Sequence, residues 1–162
     1  MLKESKAASV SMNERFICVE TYSGRGLMGR DPGGVCEFHG LDVPESVLGD
    51  SLRRALEASR WITMEEYPVF FDGEHSRQVN QAWTDRAIDR FGGRAEAAVY
   101  KKMVTCSVRS QDGLITIRPS VHVKLKAWSG DGVSPSEYVE LPTSSTDVAL
   151  GDGLRSALAR CR

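Results

Sequence analysis

The chain has 162 residues, 41% of them hydrophobic and 27% charged, which suits one packed domain and excludes a largely disordered chain. Its 21 basic and 22 acidic side chains leave a net charge of -1. That balance argues against a dedicated nucleic-acid binder, whose footprint is strongly basic.

The opening residues Met1-Leu2-Lys3-Glu4-Ser5-Lys6 are polar. No apolar run follows that would serve as a signal peptide or a membrane span, so a cytoplasmic protein is expected. Residues 1–14 read as a flexible N-terminal tail and residues 15–162 as a single domain. Residues 15–22 (RFICVETY) have strand composition. Residues 23–34 are rich in glycine but lack the G-K-[ST] ending and following helix of a phosphate loop, and read as a connection. Residues 35–41 form a short strand, and Pro44-Glu45-Ser46 opens a helix.

That helix carries Leu48, Leu52, Ala55, Leu56 and Ser59 along one stripe. After it, residues 61–74 mix aromatic and acidic side chains. A second helix is predicted over residues 76–91, with Val79, Trp83, Ala87 and Phe91 facing inward and Gly92-Gly93 as its stop. Residues 99–109 and 114–118 are β-rich and joined by the hairpin signal Gln111-Asp112-Gly113. Beyond Pro119, Val121, Val123, Leu125 and Ala127 alternate with Ser120, His122, Lys124 and Lys126, the pattern of a strand with one wet face. A further strand near residues 138–141 precedes Ser144-Ser145-Thr146-Asp147, which caps the last helix.

One motif occurs twice. Leu48-Gly49-Asp50-Ser51-Leu52-Arg53-Arg54-Ala55-Leu56 matches Leu150-Gly151-Asp152-Gly153-Leu154-Arg155-Ser156-Ala157-Leu158, and each copy follows a short strand and a Pro/Ser/Thr-rich connection. Glycine lowers helix stability, so its repetition needs a reason. Close helix-to-sheet approach at Gly49 and Gly151 is one, and Asp50 and Asp152 are candidate caps. The expected fold is α/β of the α+β type. A central, mostly antiparallel sheet carries packed helices in two related strand-loop-helix halves.

Convergent catalytic chemistry is hard to find. His39, His75 and His122 show no metal-ligand spacing, and Cys18, Cys36, Cys106 and Cys161 lack C-x-x-C spacing, so buried free thiols and no metal or cofactor are expected. Ser120, His122 and Lys124 share one strand face and form the alternative, a small hydrolase- or transferase-type site. A solvated strand face is the favoured reading, because alternation alone accounts for it. Lys101, Lys102, Arg109, Arg118, Lys124 and Lys126 could make a basic sheet, but no aromatics are interleaved with them for base stacking. The acidic and aromatic stretch suits a protein partner better. Glu65, Glu66, Tyr67, Asp72 and Glu74 are the candidate contact residues for a basic partner, against the blander reading of core aromatics with solvated acids.

Residues 103–106 (MVTC), 117–125 (IRPSVHVKL), 127–130 (AWSG) and 138–161, with Leu48-Gly49 through Arg60 and Trp83, resemble the immunity proteins of contact-dependent growth inhibition, the CdiI family. The resemblance covers about two-thirds of the chain and is poor before Val43. It implies a non-catalytic protein that binds the C-terminal toxin domain of a cognate CdiA effector inside the cell, with no membrane or direct nucleic-acid partner. Many toxins of such systems are nucleases, so a nuclease is the expected target, although the resemblance itself does not carry the toxin's activity.

Overall fold

A computed structural model describes residues 2–162, so Met1 of the expected tail lies outside the described residues. Residues with period-two alternation come first. Strand β1 (Lys6–Met12) turns Ala8, Val10 and Met12 to one face and Ala7, Ser9 and Ser11 to the other. It lies in the middle of the sheet, antiparallel to both β2 (Ile17–Arg25) and β5 (Val104–Gln111). The expectation of a flexible tail over residues 1–14 is therefore corrected. Small Ala and Ser side chains carry little strand propensity of their own, yet between two strands every ladder bond is satisfied and Val10 is fully buried.

Strand β3 (Leu27–Arg30) and strand β4 (Cys36–His39) share one edge of β2, and β6 (Leu114–Arg118) and β9 (Val139–Pro142) extend the other side. The sheet has seven strands, ordered β3-β2-β1-β5-β6-β9 with β4 beside β3 on β2, and every named pairing is antiparallel. Asp112 and Gly113 both take positive φ (53° and 79°), the conformation of a type I′ turn between β5 and β6. Strands β7 (Val121–Lys124) and β8 (Ala127–Ser129) form a separate small hairpin. The single alternating strand predicted over residues 120–127 is thus broken at Leu125 and Lys126. Val123 and Leu125, expected to be buried, are 55% and 45% exposed.

Helices cover both faces. On one, α1 (Glu45–Glu57) and α5 (Asp147–Ala159) bury Leu48, Leu52, Leu150 and Leu154 against Val10, Val19, Val108 and Ile117. On the other, α3 (Gly73–Phe91) sets Trp83, Ala87 and Phe91 against Phe16 and Cys18. Asp72 caps α3, accepting the His75 N–H at 3.0 Å, and Gly92 ends it in the left-handed region at φ 99°. Short helices α2 (Tyr67–Phe70) and α4 (Glu96–Tyr100) flank it. The start of the run predicted as β, Val99–Tyr100, belongs to α4, where both side chains complete the second core.

The repeat has a different basis from the one expected. A Cβ on Gly49 would meet the Asp147 carbonyl of α5, and one on Gly151 the Glu45 carbonyl of α1. The close approach is helix to helix, not helix to sheet. Asp50 does not cap a helix either, since it pairs with Arg54 at 2.8 Å one turn on, while Thr146 caps α5 through the Ala149 N–H.

Candidate functional site

The acidic and aromatic segment folds as a knob at the start of α3. Tyr67 and Phe71 pack at 4.7 Å between ring centroids, Phe70 and Phe71 at 4.9 Å. Both phenylalanines rest over Gly29 of β3, where a side chain would crowd them. Outside this aromatic base, Met64 and Val69 are 68% and 71% exposed. Apolar side chains standing so far into water beside acids make an exposed patch of mixed character.

The five predicted contact residues lie on this knob, and most have local work. Glu66 accepts the Thr63 N–H at 3.0 Å, which with Arg60 at 3.6 Å holds its carboxyl below the usual range. Asp72 is the α3 cap, and Glu74 pairs with Arg77. Tyr67 is half-buried. Glu65 is exposed and has no local partner among the described residues.

A second feature was not visible in the sequence. The α3 helix covers only part of its sheet face, and beside it Ser9, Ser11, Thr105 and Ser107 floor an open trough of ≈ 390 Å³. Tyr22, Arg30 and Tyr100 stand on one side, Arg118 and Tyr138 on the other. Past Tyr22 and Arg30 the surface continues into the hollow beneath Phe70 and Phe71, so trough and knob adjoin.

Arg30 ties that region together. It donates to Glu20 through Nε and Nη2 at 2.5 and 3.2 Å, to Asn80 of α3 at 2.8 Å, and lies 4.4 Å from the Trp83 ring centroid. Burial raises the Glu20 carboxyl above its ordinary value, with Arg30 opposing. Burial works against the Arg30 charge, but Glu20 holds it firmly protonated. Arg30 had read as part of a glycine-rich loop; the alternation of Ser9 and Ser11 against Ala8, Val10 and Met12 was the one sequence signal for this face.

The six basic residues weighed as a possible sheet face are not assembled into one. Only Arg109 and Arg118 share the face of adjoining strands β5 and β6. Lys102 pairs with Glu14 at 3.1 Å and Lys126 with Glu96. Aromatic neighbours are present after all, with Arg118 5.2 Å from the Tyr138 ring and Lys126 5.4 Å from Tyr100.

The Ser120, His122 and Lys124 group is not a working constellation in this geometry. Ser120 is buried and donates its hydroxyl to the Thr105 carbonyl at 2.7 Å. The His122 ring stacks on Trp128 at 4.7 Å, and its Nε2 lies 3.0 Å from the Leu125 carbonyl. Lys124 projects into solvent. A nucleophile needs its base within hydrogen-bond reach, and here serine and histidine are turned to other partners. Among the described residues no three His, Cys, Asp or Glu side chains converge as metal ligands, and no helix is long and apolar enough to cross a membrane.

Comparison with known proteins places this architecture. The model of the CDI immunity protein family (CdiI) matches residues 6–161. Immunity protein CdiI-YPIII of Yersinia pseudotuberculosis serotype O:3 (strain YPIII) is 34% identical, over 98% of this chain and 97% of that protein. A chain in the CdiA-CT/CdiI toxin and immunity complex from Yersinia pseudotuberculosis superposes with a TM-score of 0.92 at 33% identity, over 100% of both chains. A Neisseria meningitidis protein of unknown function gives the same TM-score at 30% identity, over 100% of this chain and 98% of that one. The chain belongs to the CDI immunity protein family, CdiI.

Proposed function

We propose that this protein works in the cytoplasm, without catalysis, by binding the C-terminal toxin domain of its cognate CdiA effector and occluding the active or substrate site of that domain. The toxin is a nuclease in this reading, and its basic substrate-binding surface is what an acidic knob would meet. The observation that carries the proposal is the full-length likeness both to an immunity protein and to a chain of a solved toxin and immunity complex. The exposed Met64 and Val69 beside Glu65 support the knob as the contact, since apolar anchors give affinity and nearby charge gives steering.

The test is co-expression with the C-terminal domain of a CdiA-like protein encoded by the adjacent upstream gene. Co-purification and rescue of growth are expected. Failure to bind that domain, with both partners folded, overturns the reading. The knob is tested separately by Glu65→Lys with Val69→Asp, positions exposed enough to leave the fold intact. Weaker binding and loss of protection in growth competition are expected, and unchanged protection removes the knob from the interface.

A further inference from the structure

The four cysteines, dispersed in sequence, meet in two thiol pairs. Cys18 and Cys36 lie 3.9 Å apart, Cys106 and Cys161 3.6 Å apart between sulfurs. The two pairs differ in mechanical setting. Cys18 and Cys36 stand on β2 and β4, whose backbones are locked in register by their shared ladder. Cys106 also stands on a central strand, fully buried under α5. Its partner Cys161 lies beyond the end of α5, in residues outside any helix or strand, and is only half-buried.

The anchors of residues 161–162 fall mostly on Arg162, whose guanidinium pairs with Glu137 at 2.8 Å and donates to the Gly132 carbonyl, while the Cys161 N–H donates to the Leu158 carbonyl at 3.2 Å. The Arg162 N–H donates to the Ser120 carbonyl at 3.1 Å, and the Arg162 carbonyl accepts from the His122 N–H at 2.6 Å. The Cys161 sulfur faces the Thr105 carbonyl at 3.3 Å and the Ala157 carbonyl at 3.6 Å. A disulfide needs sulfurs about 2.05 Å apart. A short shift of this segment, with its hydrogen bonds adjusting, brings Cys161 to that distance, whereas the other pair would have to deform two paired strands.

We propose that Cys106 and Cys161 are a site of reversible disulfide formation, exchanging with a low-molecular-weight disulfide of the oxidised-glutathione class. The Cys161 thiolate attacks one sulfur of that disulfide, forming a mixed disulfide and expelling one thiolate. The expelled thiolate takes the Cys106 proton, and the Cys106 sulfur then attacks the Cys161 sulfur and expels the second thiolate. Two protein thiols are oxidised and one small disulfide is reduced to two thiols. The order follows from the setting. The contact with Cys106 brings the Cys161 thiol down to about 7, while Cys106 is raised by that same contact and by burial. The half-exposed thiol attacks and the buried one resolves. The product ties α5 to the central strand β5.

The test treats the whole folded protein with oxidised glutathione, blocks remaining thiols with iodoacetamide and maps the digest by mass spectrometry. Free thiols should fall from four to two, with a peptide crosslink joining Cys106 to Cys161 that dithiothreitol reverses. The unfolding midpoint should rise on oxidation and return on reduction, since the closed loop restricts the unfolded chain. Cys161→Ser should keep all its remaining thiols. Cys106→Ala, where the core changes little in volume, should stop at a glutathione adduct on Cys161. The proposal is overturned if wild-type protein stops at that adduct, if all four thiols remain open to alkylation, or if the crosslink forms at Cys18 and Cys36 instead.

Discussion

A Cβ added to Gly49 would lie 1.7 Å from the Asp147 carbonyl oxygen, so α1 and α5 meet backbone to backbone. The contact is reciprocal. A Cβ on Gly151, the matching position in the second copy, would lie 2.0 Å from the Glu45 carbonyl oxygen. The arginines of the two copies repeat the exchange. Arg53 pairs with Asp147 at 2.9 Å and donates to the carbonyls of Thr143 and Ser145. Arg155 pairs with Glu45 at 3.2 Å and donates to the carbonyls of Leu41 and Val43. Each copy of the motif thus grips the connection and first turn of the other.

Gly49→Ala should therefore destabilise the protein by about 1–3 kcal/mol or more, the range for forcing atoms into a packed site. Helix propensity alone would favour alanine there, so the sign decides between them. Urea unfolding measures it. Gly153→Ala is the milder control, because the atom it meets at 2.7 Å is the end of the Leu141 side chain, which has room to turn.

Arg53→Ala and Arg155→Ala should each cost about 1–2 kcal/mol, from an ion pair and two uncapped carbonyls in partly screened surroundings. Asp152→Ala, at an exposed position in the same motif, should change stability by about 0.5 kcal/mol or less. A larger loss at Asp152 than at either arginine would contradict the reciprocal clasp.

Glu20→Gln should cost about 3 kcal/mol, because it strips the carboxylate from an arginine held in a nearly dry site. The side chains of Glu20 and Arg30 are only 2% and 17% exposed. Replacing both, as Glu20→Gln with Arg30→Met, should recover part of that loss in chemical denaturation. A double variant worse than the sum of the single ones would rule out the pair as the cause.

Where β4 meets α1, acid should weaken the protein in two steps. Burial lowers the His39 pKa, so the fold favours the neutral ring. That contribution is complete above the ordinary value of 6.5 and declines as the pH falls below it. Hydrogen bonds, first from Arg54 and then from Ser51, hold Glu37 at about 2. Its contribution is complete above the ordinary 4.5 and disappears as the pH falls toward about 2. With a third of the carboxylate in solvent, screening reduces this second step to about 1 kcal/mol. Unfolding midpoints measured against pH should show both, and Glu37→Gln should shrink the lower step, to which the lowered Glu66 and Glu137 also contribute, and leave the upper.

The long elements were readable because their signals are long. The stripe Leu48, Leu52, Ala55, Leu56 and that of Trp83, Ala87 and Phe91 fix two helices and their inner faces. The Asp112-Gly113 turn is equally local. What failed was non-local. Lys6–Met12 becomes a strand only because β2 and β5 close on it from both sides. The alternation over residues 120–127 promised a buried face that the sheet does not supply, since the chain turns away at Leu125. At the candidate site the sequence located the knob. It did not separate acids with local duties, such as Asp72 in its cap, from Glu65, which has none among the described residues. The trough was missed because it is a gap between elements, set by where α3 stops covering the sheet.

The central position of β1 has a consequence for synthesis on the ribosome. Val10 can pair with Val19 almost as soon as both emerge, but its partner on the other side is Cys106. Until β5 is translated, one edge of the nascent hairpin stays open, a state prone to wrong pairing. The sheet is therefore begun early but completed only after β5 has emerged. A cell that relies on this protein for protection has no use of a partly made copy, so the supply of resistance lags each round of translation by most of the chain.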